Sequence, residues 1–255
     1  MIAVTNDEKL RIVATCFFIV KFGSMSRLSL LAASLTLGFS LPSSADFSAN
    51  IGLASEYVKD GVSLSQGRIT PQVGLTYLND WGAYGGLWAS NLDQKGDSRY
   101  AEWSGFGGFY FPLTESLALD LGVTRYDYLG DAKFNDQEYN EGFARLLVND
   151  AWTFGLRHAS DSLGSGHDKQ TIESAYTMQS GSFSIEFYLA QNRYLTIDNT
   201  TNFGGSRDDY WHFRFGLGRT YNNWDYRLRL ERTNLGSGFD GGTNITFGMH
   251  RYFDF

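Results

Sequence analysis

The segment from Thr243 to Phe255, TNITFGMHRYFDF, changes character residue by residue. Ile245, Phe247, Met249, Phe253 and Phe255 share one parity, interrupted only by Arg251, while Asn244, Thr246, Gly248, His250, Tyr252 and Asp254 share the other. Successive side chains of a strand point to opposite faces, so this segment reads as a strand with one apolar and one polar face. A soluble sheet lying on a core gives the same pattern. The rest of the chain has to decide what covers the apolar face.

The rhythm recurs along the sequence. Phe47, Ala49, Ile51 and Leu53 form one apolar face, and Ile69, Pro71, Val73, Leu75 and Tyr77 the next. Leu117, Leu119, Leu121 and Val123 alternate with Ala118, Asp120, Gly122 and Thr124. Trp152, Phe154, Leu156 and His158 lie opposite Thr153, Gly155 and Arg157; Trp211, Phe213, Phe215 and Leu217 lie opposite His212, Arg214 and Gly216. The pattern predicts about twelve strands of about ten residues, the length at which a tilted strand crosses a bilayer. Tight connections at 79–82, 149–150, 180–181 and 222–223 alternate with long polar ones at 58–66, 93–98, 128–137, 161–169, 194–209 and 233–242. A closed barrel with both termini on one side needs that order, and a sandwich does not. The expectation is therefore an all-β fold, a closed antiparallel transmembrane β-barrel of about twelve strands.

Composition narrows the classes. Aromatic residues make up 16% of the 255 residues, and 29 Gly stand against 3 Pro, which suits many strands with aromatic girdles. A net charge of −7 argues against nucleic acid as a partner. The single cysteine, Cys16, excludes a disulfide framework. Residues 25–45, MSRLSLLAASLTLGFSLPSSA, read as a secretory signal peptide. Arg27 is its basic start, Leu28 to Leu41 its apolar run, and Ser43 and Ala45 the small residues of its cleavage site. Residues 1–24 read as an upstream extension from a mis-called start, and 46–255 as the barrel, destined for the outer membrane of a Gram-negative bacterium.

If the aliphatic faces meet lipid, the opposite faces line the lumen. These carry Asp120, Arg157, Glu173, Glu186, Arg214, Asp225, Arg227, Arg229 and Glu231, together with Glu102 and Arg145. Two readings stand. Acids and bases pair and narrow the interior, or Arg214, Arg227 and Arg229 form a constriction that selects small anions. Twelve strands enclose more space than a side-chain-filled eight-stranded barrel and less than an open porin, so a narrow channel for ions or small solutes is the function expected. A non-conducting structural or adhesion barrel is the alternative.

Little points to catalysis. The glycines of 105–108 and 216–218 sit inside strands with no helix after them, so they are not nucleotide loops. The four histidines lack metal-ligand spacing, and no cofactor is implied. One segment resembles a known enzyme class: His158 and Ser160, with Glu173 downstream, are similar to the His-x-Ser and later Glu of outer-membrane lipid A deacylases. The resemblance implies Ser as nucleophile, His as base and Glu as orienting acid. Glu173, however, has the parity opposite to Ile172 and Tyr176.

Two further resemblances bear on the whole chain. The alternating end of the sequence, with Phe247, Met249, Phe253 and Phe255, resembles the C-terminal signal by which outer-membrane barrels are recognised by the barrel-assembly machinery. Residues 52–58, GLASEYV, followed by Asp60, Gly61, Ser63 and Gln66 and by GGLWASNLD at 85–93, resemble the opening of the TorF-type family of proteobacterial outer-membrane proteins. Lys59 and Asp60 stand where an aromatic residue and Arg are more usual. The resemblance implies a barrel with proposed porin activity. Expected partners are outer-membrane lipid, lipopolysaccharide and small solutes or ions.

Overall fold

A computed structural model describes residues 45–93, 98–130, 138–162, 167–195, 208–236 and 241–255. The upstream extension and all of the signal segment except Ala45 lie outside the described residues.

The described strands are β1 (Ala45–Ala54), β2 (Val58–Lys59), β3 (Val62–Ser63), β4 (Thr70–Asn79), β5 (Ala83–Asn91), β6 (Ala101–Thr114), β7 (Leu117–Leu129), β8 (Tyr139–Val148), β9 (Trp152–Ala159), β10 (Lys169–Ser180), β11 (Phe183–Tyr194), β12 (Asp209–Tyr221), β13 (Trp224–Thr233) and β14 (Thr243–Asp254). Twelve of them form one closed barrel. Each of β4 to β13 pairs antiparallel with the next, and β1 closes the ring between β14 and β4. Closure removes the edges that would leave backbone donors and acceptors unpaired in hydrocarbon. The alternating C-terminal strand β14 pairs with β1 from Ser48↔Asp254 to Ala54↔Gly248.

The turns at one end follow from residues that accept positive φ. Asn149 and Asp150 (φ 53° and 52°) and Asn222 and Asn223 (φ 51° and 62°) make two-residue turns whose twist matches that of the flanking strands. The connections at the other end are long. Around the outside, Ile51, Val73, Leu87, Val123, Phe154, Ile172, Phe213 and Phe247 are exposed and form a continuous apolar belt. Near the short turns the belt is aromatic: Trp81 packs on Phe109 at 5.8 Å between ring centroids, Trp152 on Tyr176 at 4.6 Å, and Phe47 on Tyr77 at 4.9 Å. Such a belt flanked by amphipathic rings is the outer surface of a membrane barrel.

The strand β6 runs through Pro112 to Thr114, with a register shift between Pro112 and Thr114. An irregular ladder is where a residue without an amide hydrogen is tolerated. Tyr128 and Leu129 belong to β7, not to a loop. Residues 58–66 are more than a polar loop, because they contain the hairpin β2–β3.

Inside, the barrel is filled unevenly. Toward the short turns, Leu78, Tyr84, Tyr110, Ala118, Phe143 and Leu147 of β4 to β8 pack into an apolar cluster, joined by Phe106. At the opposite end Leu92, Tyr126, Tyr128, Tyr139 and Ala159 form a second cluster, against which Tyr57 and Leu64 of the first connection pack.

Candidate functional site

The site is the lumen between those clusters, and its main feature is the first connection, which folds inward. Val58↔Ser63 and Lys59↔Val62 pair across a two-residue turn of Asp60 and Gly61, with φ 51° and 79°. The base of the hairpin is tied by Leu64 N–H donating to the Tyr57 carbonyl (2.8 Å) and Tyr57 N–H to Ser65 Oγ (2.9 Å). From there it reaches across the barrel. Arg157 Nη2 donates to Asp60 Oδ1 at 2.7 Å, and Lys169 Nζ bonds Asp60 Oδ2. A Cβ on Gly61 would stand 2.3 Å from Thr233 Cγ2 and 2.8 Å from His212 Cδ2, so the tip is pressed against the inner face of β12 and β13 with room for a glycine alone. Arg157 lies on β9, six strands from β1 in either direction round the ring.

Charged side chains from the wall complete the site. Arg157 also donates to Glu141 (3.2 Å) and Glu173 (3.1 Å). Arg145 bridges Glu173 (3.0 Å) and Asp120 (3.7 Å), and Tyr84 donates to Asp120 at 2.6 Å. On the far wall Arg214 donates to Glu186 (2.6 Å), Arg227 to Asp225 (2.5 Å), and His212 Nε2 lies 2.8 Å from Glu231. Arg229 faces Gly216 across the β12–β13 ladder, between Arg214 and Arg227 on the same wall. A cavity of about 250 Å³ remains among these groups, lined by Lys59 and Asp60 above and by Arg214, Arg227 and Arg229 at the side. Asp60 lies outside the spanning strands. Burial pushes its carboxyl up, but Arg157 and Lys169 outweigh burial and hold it well below the ordinary aspartate range.

The lumen residues expected from the sequence face inward: Asp120, Arg157, Glu186, Arg214, Arg227, Arg229 and Glu231, and with them Glu102, Arg145, Glu173 and Asp225. The acids and bases come together as pairs, and Arg214, Arg227 and Arg229 share one wall. His158, Ser160 and Glu173 do not come together. His158 and Ser160 are exposed on the outer side, while Glu173 is buried inside, held by Arg145, Arg157 and Tyr188. The β9–β10 ladder is continuous from Lys169 to Tyr176, so no bulge turns Glu173 outward. Phe247 and Phe253 are exposed on the outer face and Met249 is half-buried beside them. Among the described residues no cluster of His, Cys, Asp and Glu could hold a metal ion.

Alternation along the strands does not reveal Lys59, Asp60, Glu141 and Lys169 as members of the site. For the first two a signal was present: an Asp-Gly pair between Val58 and Val62 is the strongest short-range sign of a hairpin.

Residues 40–226 match the family described as a bacterial protein of unknown function, Gcw_chp. The chain belongs to that family. The Gcw_chp match takes in the hairpin, Glu102, Arg157 and Arg214, and stops just before Arg227. No curated protein matches the sequence. Solved structures share the architecture. The KdgM porin in complex with disordered oligogalacturonate superposes with a TM-score of 0.52 at 9% identity, over 82% of this chain and 99% of that one. The NanC porin superposes with a TM-score of 0.53 at 8% identity, over 80% and 97%. This Gcw_chp protein therefore has the fold of an outer-membrane porin.

Proposed function

We propose that the protein is a narrow, porin-like channel of the bacterial outer membrane for ions or small solutes, kin to the TorF-type proteins. One observation carries the reading: twelve strands enclose a lumen that keeps a cavity of about 250 Å³, lined by charges of both signs, between its two apolar clusters. Residues 25–45 then serve as the export signal. The outward Phe247, Met249, Phe253 and Phe255 serve recognition by the barrel-assembly machinery. An acyl-ester hydrolase would need His158, Ser160 and Glu173 on one side of the sheet, and a channel asks nothing of them together.

Planar-bilayer recording tests the proposal. The wild-type barrel should conduct weakly, with a preference for anions that inverts when Arg214, Arg227 and Arg229 are replaced by Glu. A silent bilayer would overturn the channel. Conduction with unaltered ion preference would remove the three arginines from selectivity. The hairpin across the lumen favours one second reading, a barrel that stays shut and serves as a structural wall.

A further inference from the structure

The lysine of the hairpin is held by more than an ion pair. Lys59 Nζ donates to both carboxylate oxygens of Glu102, at 3.2 and 3.3 Å, and to the Tyr128 hydroxyl at 3.4 Å. It also stands 3.3 Å from the centroid of the Tyr126 ring, 5.3 Å from that of Tyr139 and 5.8 Å from that of Tyr128. Tyr126 and Tyr139 are themselves stacked, 4.7 Å apart. Glu102 is fully buried and accepts a further bond from the Tyr57 hydroxyl at 3.0 Å. A tether to the wall would need the carboxylate alone. Aromatic faces gathered around a buried carboxylate are how proteins recognise alkylammonium groups.

We propose that Glu102, Tyr126, Tyr128 and Tyr139 form a binding site for the alkylammonium group of a solute, which Lys59 of the chain's own hairpin fills while the hairpin is docked. The site opens on the lumenal cavity, whose lining includes Lys59, Glu102 and Tyr126, so a solute reaches it from within the barrel. The energetics favour exchange over vacancy. If Lys59 withdraws, Glu102 stays buried, and a buried carboxylate is costly until another cation replaces the first. The aromatic rings decide which cation: a methylated or alkylated ammonium sheds its water more readily than sodium and gains more from ring faces. Lys59 is thus a resident competitor, and a solute that displaces it also loosens one anchor of the hairpin. The inference rests on the lumen admitting solutes, as the channel reading holds, but binding needs no conduction.

The test is a titration of refolded barrel with tetramethylammonium chloride against sodium chloride at equal ionic strength, followed by calorimetry. Lys59→Ala should bind tetramethylammonium about tenfold more tightly than wild type, and the double variant Lys59→Ala, Tyr126→Leu should lose that gain. Lys59→Met, which keeps the stem of the side chain, carries the same comparison if the alanine variant fails to fold. In the unaltered protein, tetramethylammonium but not sodium should speed tryptic cleavage after Lys59. Equal binding by Lys59→Ala and wild type, a gain that survives Tyr126→Leu, or the same response to sodium would overturn the site. Binding with a silent bilayer would overturn the channel alone, and conduction without binding the ammonium site alone.

Discussion

Arg157 is the residue at which the hairpin and the wall meet. Its guanidinium serves Asp60 of the first connection, Glu141 of β8 and Glu173 of β10, and its side chain is 9% exposed. Only a planar fork with five donors reaches three carboxylates from one position. Arg157→Met would leave those acids sharing Lys169 and Arg145, and removing one partner of a buried ion pair costs about 3–5 kcal/mol. We expect a fall of that size in the urea-unfolding free energy of the folded barrel, with Arg157→Lys recovering only part. The contribution of Asp60 follows from its depressed carboxyl. It is fully present above the ordinary aspartate value of 3.8 and is lost only as the pH falls through the lower value of the folded protein, so mild acid leaves the hairpin docked. Parity in the sequence was enough to turn Arg157 and Glu173 inward. It could not pair them, because partners across a barrel depend on how far each strand is staggered, and hydropathy carries no such information.

At the scale of the element, the hairpin β2–β3 has two paired rungs and owes its position to what its tip touches. Gly61 meets two demands at once, a φ of 79° and a Cβ position already occupied by Thr233 and His212. Gly61→Val would satisfy neither, since a β-branched residue at positive φ is strained by about 1–3 kcal/mol even in open space. The tip should leave its seat, and single-channel conductance should rise above that of wild type; an unchanged conductance would mean that the hairpin does not limit flow. The turn was legible in the Asp60-Gly61 pair. Its inward course was not, because the partners that draw it in, Arg157 and Lys169, follow 97 and 109 residues later. A polar loop that folds in and one that points out look alike from within.

For the whole molecule, strand number and fold were legible because alternation can be counted and loop length sorts the two ends. The belt it predicts also sets a cost. Val123 lies mid-strand in β7 on the outer face, 51% exposed. Val123→Arg should destabilise the barrel in lipid by about 2–4 kcal/mol, measured by unfolding from vesicles, and should do far less in detergent micelles that yield around the charge. The seam where the ring closes is pinned across three strands. Gly52 of β1 pairs with His250 of β14 on one side and Gln72 of β4 on the other, and His250 Nε2 bonds Gln72 Oε1 at 2.9 Å over the bare glycine. The hairpin acts on the ring in another way. A thin-walled tube under sideways pressure flattens into an oval unless something spans its bore. Here the turn that starts beside β1 grips β9 half a circumference away, so the outward-facing rim is braced like a wheel with a spoke, while the opposite rim is kept round by the packed rings of Tyr84, Tyr110 and Phe143. Unseating the hairpin would therefore soften one end of the cylinder and leave the other stiff.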